Sequence, residues 1–236
     1  MSDATSKAIS IERFEKFFAA VSILVARAEK QQQELERTEA TRFNVFEFIE
    51  PDENKLSDIL ADLLNPSGSH GQKDTFLRLL IEQLGVGSRK MSLVGARVER
   101  EAPTHGILKF RRRIDVLVNA GILVAIENKV DAAEQTDQIQ DYLEHLTFCS
   151  RTGGQRFVLV YLTPTGCAPD SFSPAGVEAA KASGQLQCWS YRREFRDWLK
   201  LCRKNCAAPK IAHFLADYIG YIESTMKNLG EVDETE

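Results

Sequence analysis

Ile114-Asp115-Val116-Leu117-Val118-Asn119-Ala120-Gly121-Ile122-Leu123-Val124-Ala125-Ile126-Glu127-Asn128-Lys129-Val130 is the stretch that decides the fold. Two runs rich in Val, Ile and Leu flank a short turn containing glycine, the pattern of a β-hairpin. Strands this apolar are normally covered on both faces. A charge set into one of them must therefore be paired, bound to a metal or neutralised by a pKa shift. Asp115, Glu127 and Lys129 are three such charges.

Loop length decides whether the three meet. A three-residue loop, Asn119-Ala120-Gly121, ending in a left-handed glycine places Asp115 opposite Ala125, with Glu127 and Lys129 on the same face. A two-residue loop at Ala120-Gly121 would place Asp115 opposite Ile126 and turn Glu127 to the other side. Gly121 in the third position favours the first arrangement, and a bulge elsewhere could restore or undo it. The residues alone leave two readings open. One is a buried ion pair between Lys129 and an acid, retained for fold specificity. The other is a divalent-metal site with a polarising amine, which would offset the excess of two acids over one lysine.

Around the hairpin, the chain reads as an ordinary α/β protein. Its 236 residues, 43% hydrophobic and 27% charged, suffice for one substantial core, so a single domain over 1–236 is expected. No apolar run reaches membrane-spanning length, and Met1-Ser-Asp-Ala-Thr-Ser-Lys7 lacks the apolar core of a secretion signal; a cytoplasmic location is the expectation. Five irregularly spaced cysteines fit reduced thiols better than a disulfide framework. The net charge of −4 gives no global attraction to nucleic acid, so such binding must come from local basic clusters. Lys109, Arg111, Arg112 and Arg113 precede Asp115, with Arg97 and Arg100 upstream. Arg111 and Arg113 are the candidates for contact with substrate phosphates.

Residues 10–40 hold a long N-terminal helix with Phe14, Phe17, Phe18, Val21, Leu24 and Val25 at helical spacing, expected to pack on the core. A core over 50–190 follows, then C-terminal helices over 193–228 and a disordered acidic tail over 229–236. A homodimer through the N-terminal or C-terminal helices is compatible with this organisation. One helix runs from about Pro51 to Asn65, with Leu56, Ile59, Leu60, Leu63 and Leu64 as its apolar face. At about 100° per residue, Glu53 lies roughly 50° from the centre of that face, whereas Asp58 and Asp62 lie on the far side. Glu53 is thus the acid best placed to approach the sheet, although the helix dipole alone would favour an acid in a first turn. Strands near Ala96–Ala102, Phe110–Val118, Leu123–Val130, Arg156–Thr163 and Leu186–Trp189 are expected, with a helix over Ala133–Phe148.

An acid on one strand followed by Glu127-Asn128-Lys129 on the next resembles the hallmark of the PD-(D/E)XK nuclease superfamily, with Ile114 in place of the usual proline. The segment Glu53-Asn-Lys-Leu-Ser-Asp-Ile-Leu-Ala-Asp-Leu-Leu-Asn-Pro66, then Ser69-His70-Gly71, resembles the opening of a bacterial subfamily of that group. The resemblance implies a restriction-endonuclease-like αβββαβ core with a mixed sheet flanked by helices. It also implies Mg²⁺- or Mn²⁺-dependent hydrolysis of nucleic acid, with DNA favoured. Asp115 and Glu127 would be metal ligands, with the Asn128 backbone carbonyl and Glu53 as further donors and Lys129 acting on the attacking water. Gln138 and Tyr142, four apart on the helix after the third strand, resemble a supporting motif of recombination-type members. The alternative implied function is an inactive nuclease fold that binds nucleic acid or regulates. His70 is the weakest candidate, since a Pro-Ser-Gly-Ser-His-Gly loop explains it without chemistry.

Overall fold

The computed structural model describes residues 2–87, 91–104, 112–130 and 134–226, with side chains from residue 13 onward. Lys109, Arg111, the expected strand start at Phe110, the expected helix start at Ala133 and the acidic tail over 229–236 lie outside the described residues. The chain divides into two compact units, Met1–Asn44 and Val45–Glu236.

The first unit is built on one helix, α1 (Ser2–Glu39). The second opens with α2 (Val45–Ile49), α3 (Glu53–Leu64) and α4 (Thr75–Gln83). The strands β1 (Arg97–Pro103), β2 (Arg113–Asn119) and β3 (Leu123–Asn128) follow, then α5 (Gln138–Gly153), β4 (Phe157–Thr163), α6 (Pro174–Ala182) and β5 (Leu186–Ser190). A π-helical turn over Tyr191–Phe195 leads into α7 (Arg196–Lys204) and α8 (Pro209–Thr225). The sheet runs β1-β2-β3-β4-β5, antiparallel from β1 to β3 and parallel from β3 to β5. This is the mixed α/β sheet expected from the sequence.

Every residue of β3 and β4 is buried, because helices cover both sheet faces. Val116, Val118, Val124, Ile126, Val158 and Val160 join a core with α3, α4, α7 and α8. Leu123, Ala125, Leu159 and Tyr161 join a second core with α5 and α6. In the larger core Phe46 is fully buried and stacks on Tyr218 at 4.8 Å between ring centres. Trp198 donates its indole N–H to the Phe76 carbonyl at 3.1 Å, so the largest side chain of α7 enters the core with its polar atom satisfied.

The hairpin register differs from the expected one. Asn119 pairs with Leu123 and Val116 with Ile126, which makes Ala120-Gly121-Ile122 the loop and brings Asp115 level with Glu127 rather than Ala125. Gly121 has φ 76°, the left-handed conformation glycine tolerates, but in the middle of the loop. Ala120 and Ile122 are both buried, and burial of Ile122 accounts for its inclusion in the loop. Because the displacement is two positions in total, the shared parity of Asp115 and Glu127 survives.

At Asp115 the strand is also irregular. Arg100 pairs with Val116 and Ala102 with Ile114, leaving Glu101, at φ 49°, unmatched to Asp115. Ile114 and Val116, two apart, enter opposite cores. A local break of this kind re-aims a side chain, and here it turns the Asp115 carboxylate toward the end of β3.

Candidate active site

Each site residue is delivered by a different piece of local structure. Asp52 caps α3, accepting the Lys55 amide hydrogen at 2.7 Å, and this starts the helix so that Glu53 projects from its first turn. One Glu53 oxygen accepts the Val130 N–H at 3.0 Å, and the other lies 3.5 Å from Lys129 Nζ. Asp115 Oδ2 accepts the Asn128 N–H at 2.8 Å. Thus two acids remote in sequence both grip the backbone around the Glu-Asn-Lys segment.

Alternation along β3 separates its last residues. Glu127 has the parity of Leu123 and Ala125 and faces α5, whereas Asn128 has the parity of Val124 and Ile126 and faces α3. Their partners agree with this. Glu127 Oε1 accepts from Gln138 Nε2 at 2.5 Å. The Asn128 side-chain amide donates to Ser57 Oγ at 3.0 Å and the Glu53 carbonyl at 3.2 Å, and its oxygen accepts from the Tyr191 hydroxyl at 2.8 Å. Lys129, just past the strand, spans the two sides: its Nζ lies 3.2 Å from Glu127 and 3.5 Å from Glu53. The structure therefore brings Glu53, Asp115, Glu127 and Lys129 together, with Glu53 arriving from the α3 side.

The electrostatics follow from burial. Glu127 is 1% exposed, and desolvation, reinforced by the nearby Asp115 carboxylate, pushes its pKa up to about 8 against the pull of Lys129. Asp115 is also raised, first by desolvation and then by Glu53, with the Asn128 N–H opposing. For Lys129, desolvation favours the neutral amine, but Glu127, Glu53 and Asp115 outweigh it and hold the ammonium.

Gln138 and Tyr142 form a supporting layer. Gln138 Nε2 also donates to the Tyr142 hydroxyl at 3.0 Å, and that hydroxyl donates to the Arg113 carbonyl at 2.6 Å. One turn of α5 thus clamps the buried Glu127 and ties itself to β2. Burial, with the Glu127 charge, raises the Tyr142 pKa, so it remains a hydroxyl donor.

The basic cluster is divided. Arg112 is buried, paired with Asp141 and donating to Gln135 Oε1 at 2.8 Å and to the Thr136 carbonyl; it joins β2 to the start of α5 and is withdrawn from any phosphate. Arg100 pairs with Asp58 at 2.9 Å and donates to the Asp115 carbonyl. Arg113 is exposed, 2.6 Å from Glu101. His70 is buried in its loop: one ring nitrogen meets the Asn65 carbonyl, the other accepts the Gln72 N–H, each at 3.0 Å, and its ring stacks on Phe76. Its contacts are those of a loop anchor.

Sequence reasoning missed Glu134. Its carboxylate accepts the Asp170 N–H at 3.0 Å, the Ser171 N–H at 2.7 Å and the Tyr161 hydroxyl. These contacts hold the wall of an open cleft of about 720 Å³ that Lys129, Thr136, Thr163 and Cys167 also line. No sequence signal singled Glu134 out, since its partners lie 27 to 37 residues away.

Among the described residues no three His, Cys, Asp or Glu side chains stand as a ready-made metal cluster. Two carboxylates suffice for Mg²⁺, which retains waters and takes substrate oxygens. Glu127 Oε2 is buried with no hydrogen-bond partner among the described residues, and a buried carboxylate oxygen in that condition is costly unless a cation or proton meets it. The donor set, two hard oxygens with a third carboxylate nearby, suits such an ion. No helix among the described residues is long and apolar enough to cross a membrane.

A family model described as the PD-(D/E)XK nuclease superfamily matches residues 43–220. No curated protein and no solved structure gives a match.

Proposed function

The chain belongs to the PD-(D/E)XK nuclease superfamily, and from that premise we propose that it is a divalent-metal-dependent phosphodiester hydrolase acting on nucleic acid, with DNA the first substrate to test. The observation that carries the reading is the unpartnered, buried Glu127 Oε2 beside Asp115 and Lys129. Asp115 and Glu127 would hold Mg²⁺ or Mn²⁺, with the Asn128 carbonyl as a further oxygen donor and Glu53 acting through water. Such an ion supplies a bound water of lowered pKa and a Lewis acid for a phosphate oxygen.

The chain's own groups do the positioning. Glu53 keeps the Lys129 ammonium beside Glu127, where its N–H groups orient the attacking water and meet charge developing on the phosphate. Gln138 fixes the Glu127 carboxylate from behind, as second ligand layers do. Arg113, exposed on β2, can exchange Glu101 for a phosphate of the substrate. Hydrolysis is direct, because none of these groups is a nucleophile poised for a covalent intermediate.

The test is cleavage of plasmid, single-stranded DNA and RNA with Mg²⁺ or Mn²⁺ by wild type, Glu127→Gln and Lys129→Ala. Cleavage by wild type, reduced at least ~100-fold in both variants, is expected from the loss of groups acting in the transition state. Equal cleavage by wild type and Lys129→Ala would refute the assignment.

A further inference from the structure

We propose that Arg100 is a positioning residue: it fixes the main chain at Asp115 so that the Asp115 carboxylate meets a metal ion at the end of β3. This role rests on the assignment of Asp115 as a metal ligand, and it withdraws Arg100 from the basic groups available to substrate phosphates.

The need arises in the sheet. Asp115 lies in β2, between two neighbouring strands, yet it is matched to no residue of either. Ile114 and Val116 pair with Ala102 and Arg100 of β1, and pairing with β3 begins only at Val116. Glu101, which the register would set opposite Asp115, has φ 49°, outside the extended backbone that a ladder requires. A main-chain carbonyl at such a half-buried break needs another donor. Arg100 supplies it: its Nη1 donates to the Asp115 carbonyl.

The guanidinium is itself held from the helix side. Its Nε donates to Asp58 Oδ1 at 2.9 Å and its Nη2 to the Asn54 carbonyl at 3.4 Å, both on α3. Arg100 thus engages every nitrogen of its side chain and ties the irregular point of β2 to the helix that delivers Glu53. A planar fork reaches one carboxylate and two carbonyls at once, which a lysine ammonium on a flexible stem does not reproduce. With the Asp115 main chain held by Arg100, and Oδ2 held by the Asn128 N–H at 2.8 Å, Oδ1 is left for the ion.

Three roles for Arg100 differ in what Arg100→Met does, a change that removes every donor while Asp58, 51% exposed, stays in contact with water. If Arg100 acted only as a charge, it would repel a divalent cation, and its loss would tighten metal binding. If it held a substrate phosphate, its loss would lower the salt dependence of substrate binding and leave metal affinity unchanged. Positioning predicts that Mn²⁺ affinity falls about 10–100-fold.

The experiment is calorimetric titration of Mn²⁺ into wild type, Arg100→Met, Arg100→Lys and Asp115→Asn, well below their melting temperatures, with amide hydrogen exchange of the metal-free proteins. Both Arg100 variants should bind Mn²⁺ more weakly than wild type. The Asn128 amide, held by the Asp115 carboxylate, should exchange faster in each. Should Arg100→Met fail to fold, Arg100→Lys, which keeps the charge and most of the stem, carries the same test. Unchanged exchange at Asn128, or Mn²⁺ affinity equal to or above that of wild type, would overturn the role of Arg100. If wild type itself binds no Mn²⁺, the assignment of Asp115 falls, and the positioning of a metal ligand falls with it.

Discussion

Replacing Glu127 by Gln should stabilise the metal-free protein, and increasingly so as pH rises. The carboxyl is 1% exposed and its pKa stands at about 8 against an ordinary 4.5. Between those values the folded chain holds a proton that the unfolded chain has released, so the Glu127 contribution to wild-type stability is greatest below about pH 4.5 and falls as pH climbs toward 8. At about 1.4 kcal/mol per pH unit the whole displacement corresponds to roughly 5 kcal/mol. The attraction of Lys129 at 3.2 Å is already contained in that displacement, which is what remains after Lys129 has pulled the other way. At pH 8, where half of the folded chains still hold the proton, the gain is about 4 kcal/mol, or some 8–16 °C in melting temperature for a chain of this size. The assay is thermal and urea unfolding of both proteins in EDTA at pH 5, 6, 7 and 8. The variant should gain little at pH 5 and most at pH 8. If the difference between the two proteins is flat over this range, or the variant is the less stable at pH 8, the burial argument fails.

Three further outcomes follow from the same contacts. Mn²⁺ should raise the melting temperature of wild type but not of Asp115→Asn, read by calorimetry at fixed pH. Gln138→Ala, which frees the Glu127 carboxylate on the α5 side, should lower metal affinity or cleavage about 10–100-fold, measured by metal titration and initial rates. Arg112→Met strands the buried Asp141 and should cost about 3–5 kcal/mol in urea unfolding, with Arg112→Met/Asp141→Leu recovering most of it.

What the sequence made legible was whatever depends on local pattern. The αβββαβ order, the Leu56–Leu64 face of α3 and the placement of Glu53 toward the sheet all follow from periodicity. The meeting of Asp115, Glu127 and Lys129 was also legible, though through a register displaced from the observed one. Gly121 satisfies a left-handed position equally well at the end or in the middle of a loop, and the burial of Ile122, a tertiary matter, chose between them. The fate of Arg112 was hidden for a similar reason. Beside Lys109, Arg111 and Arg113 it reads as one of a basic group, and only the return of the chain 29 residues later brings Asp141 to it. Helix α6 also went unread, although Ser173 caps it and Pro174 begins it, both local starting signals.

The middle letter of Glu127-Asn128-Lys129 is less free than a motif written with an unspecified residue suggests. Asn128 both gives and receives hydrogen bonds, reaching Ser57, the Glu53 carbonyl and Tyr191 at once, which a carboxylate or an aliphatic side chain cannot do. Ser57, Asn128 and Tyr191 are therefore expected to vary as a set among descendants of this chain. A homologue that changes one of them alone would carry an unmatched polar group into its core, so this trio is a ready signature for tracing lineage.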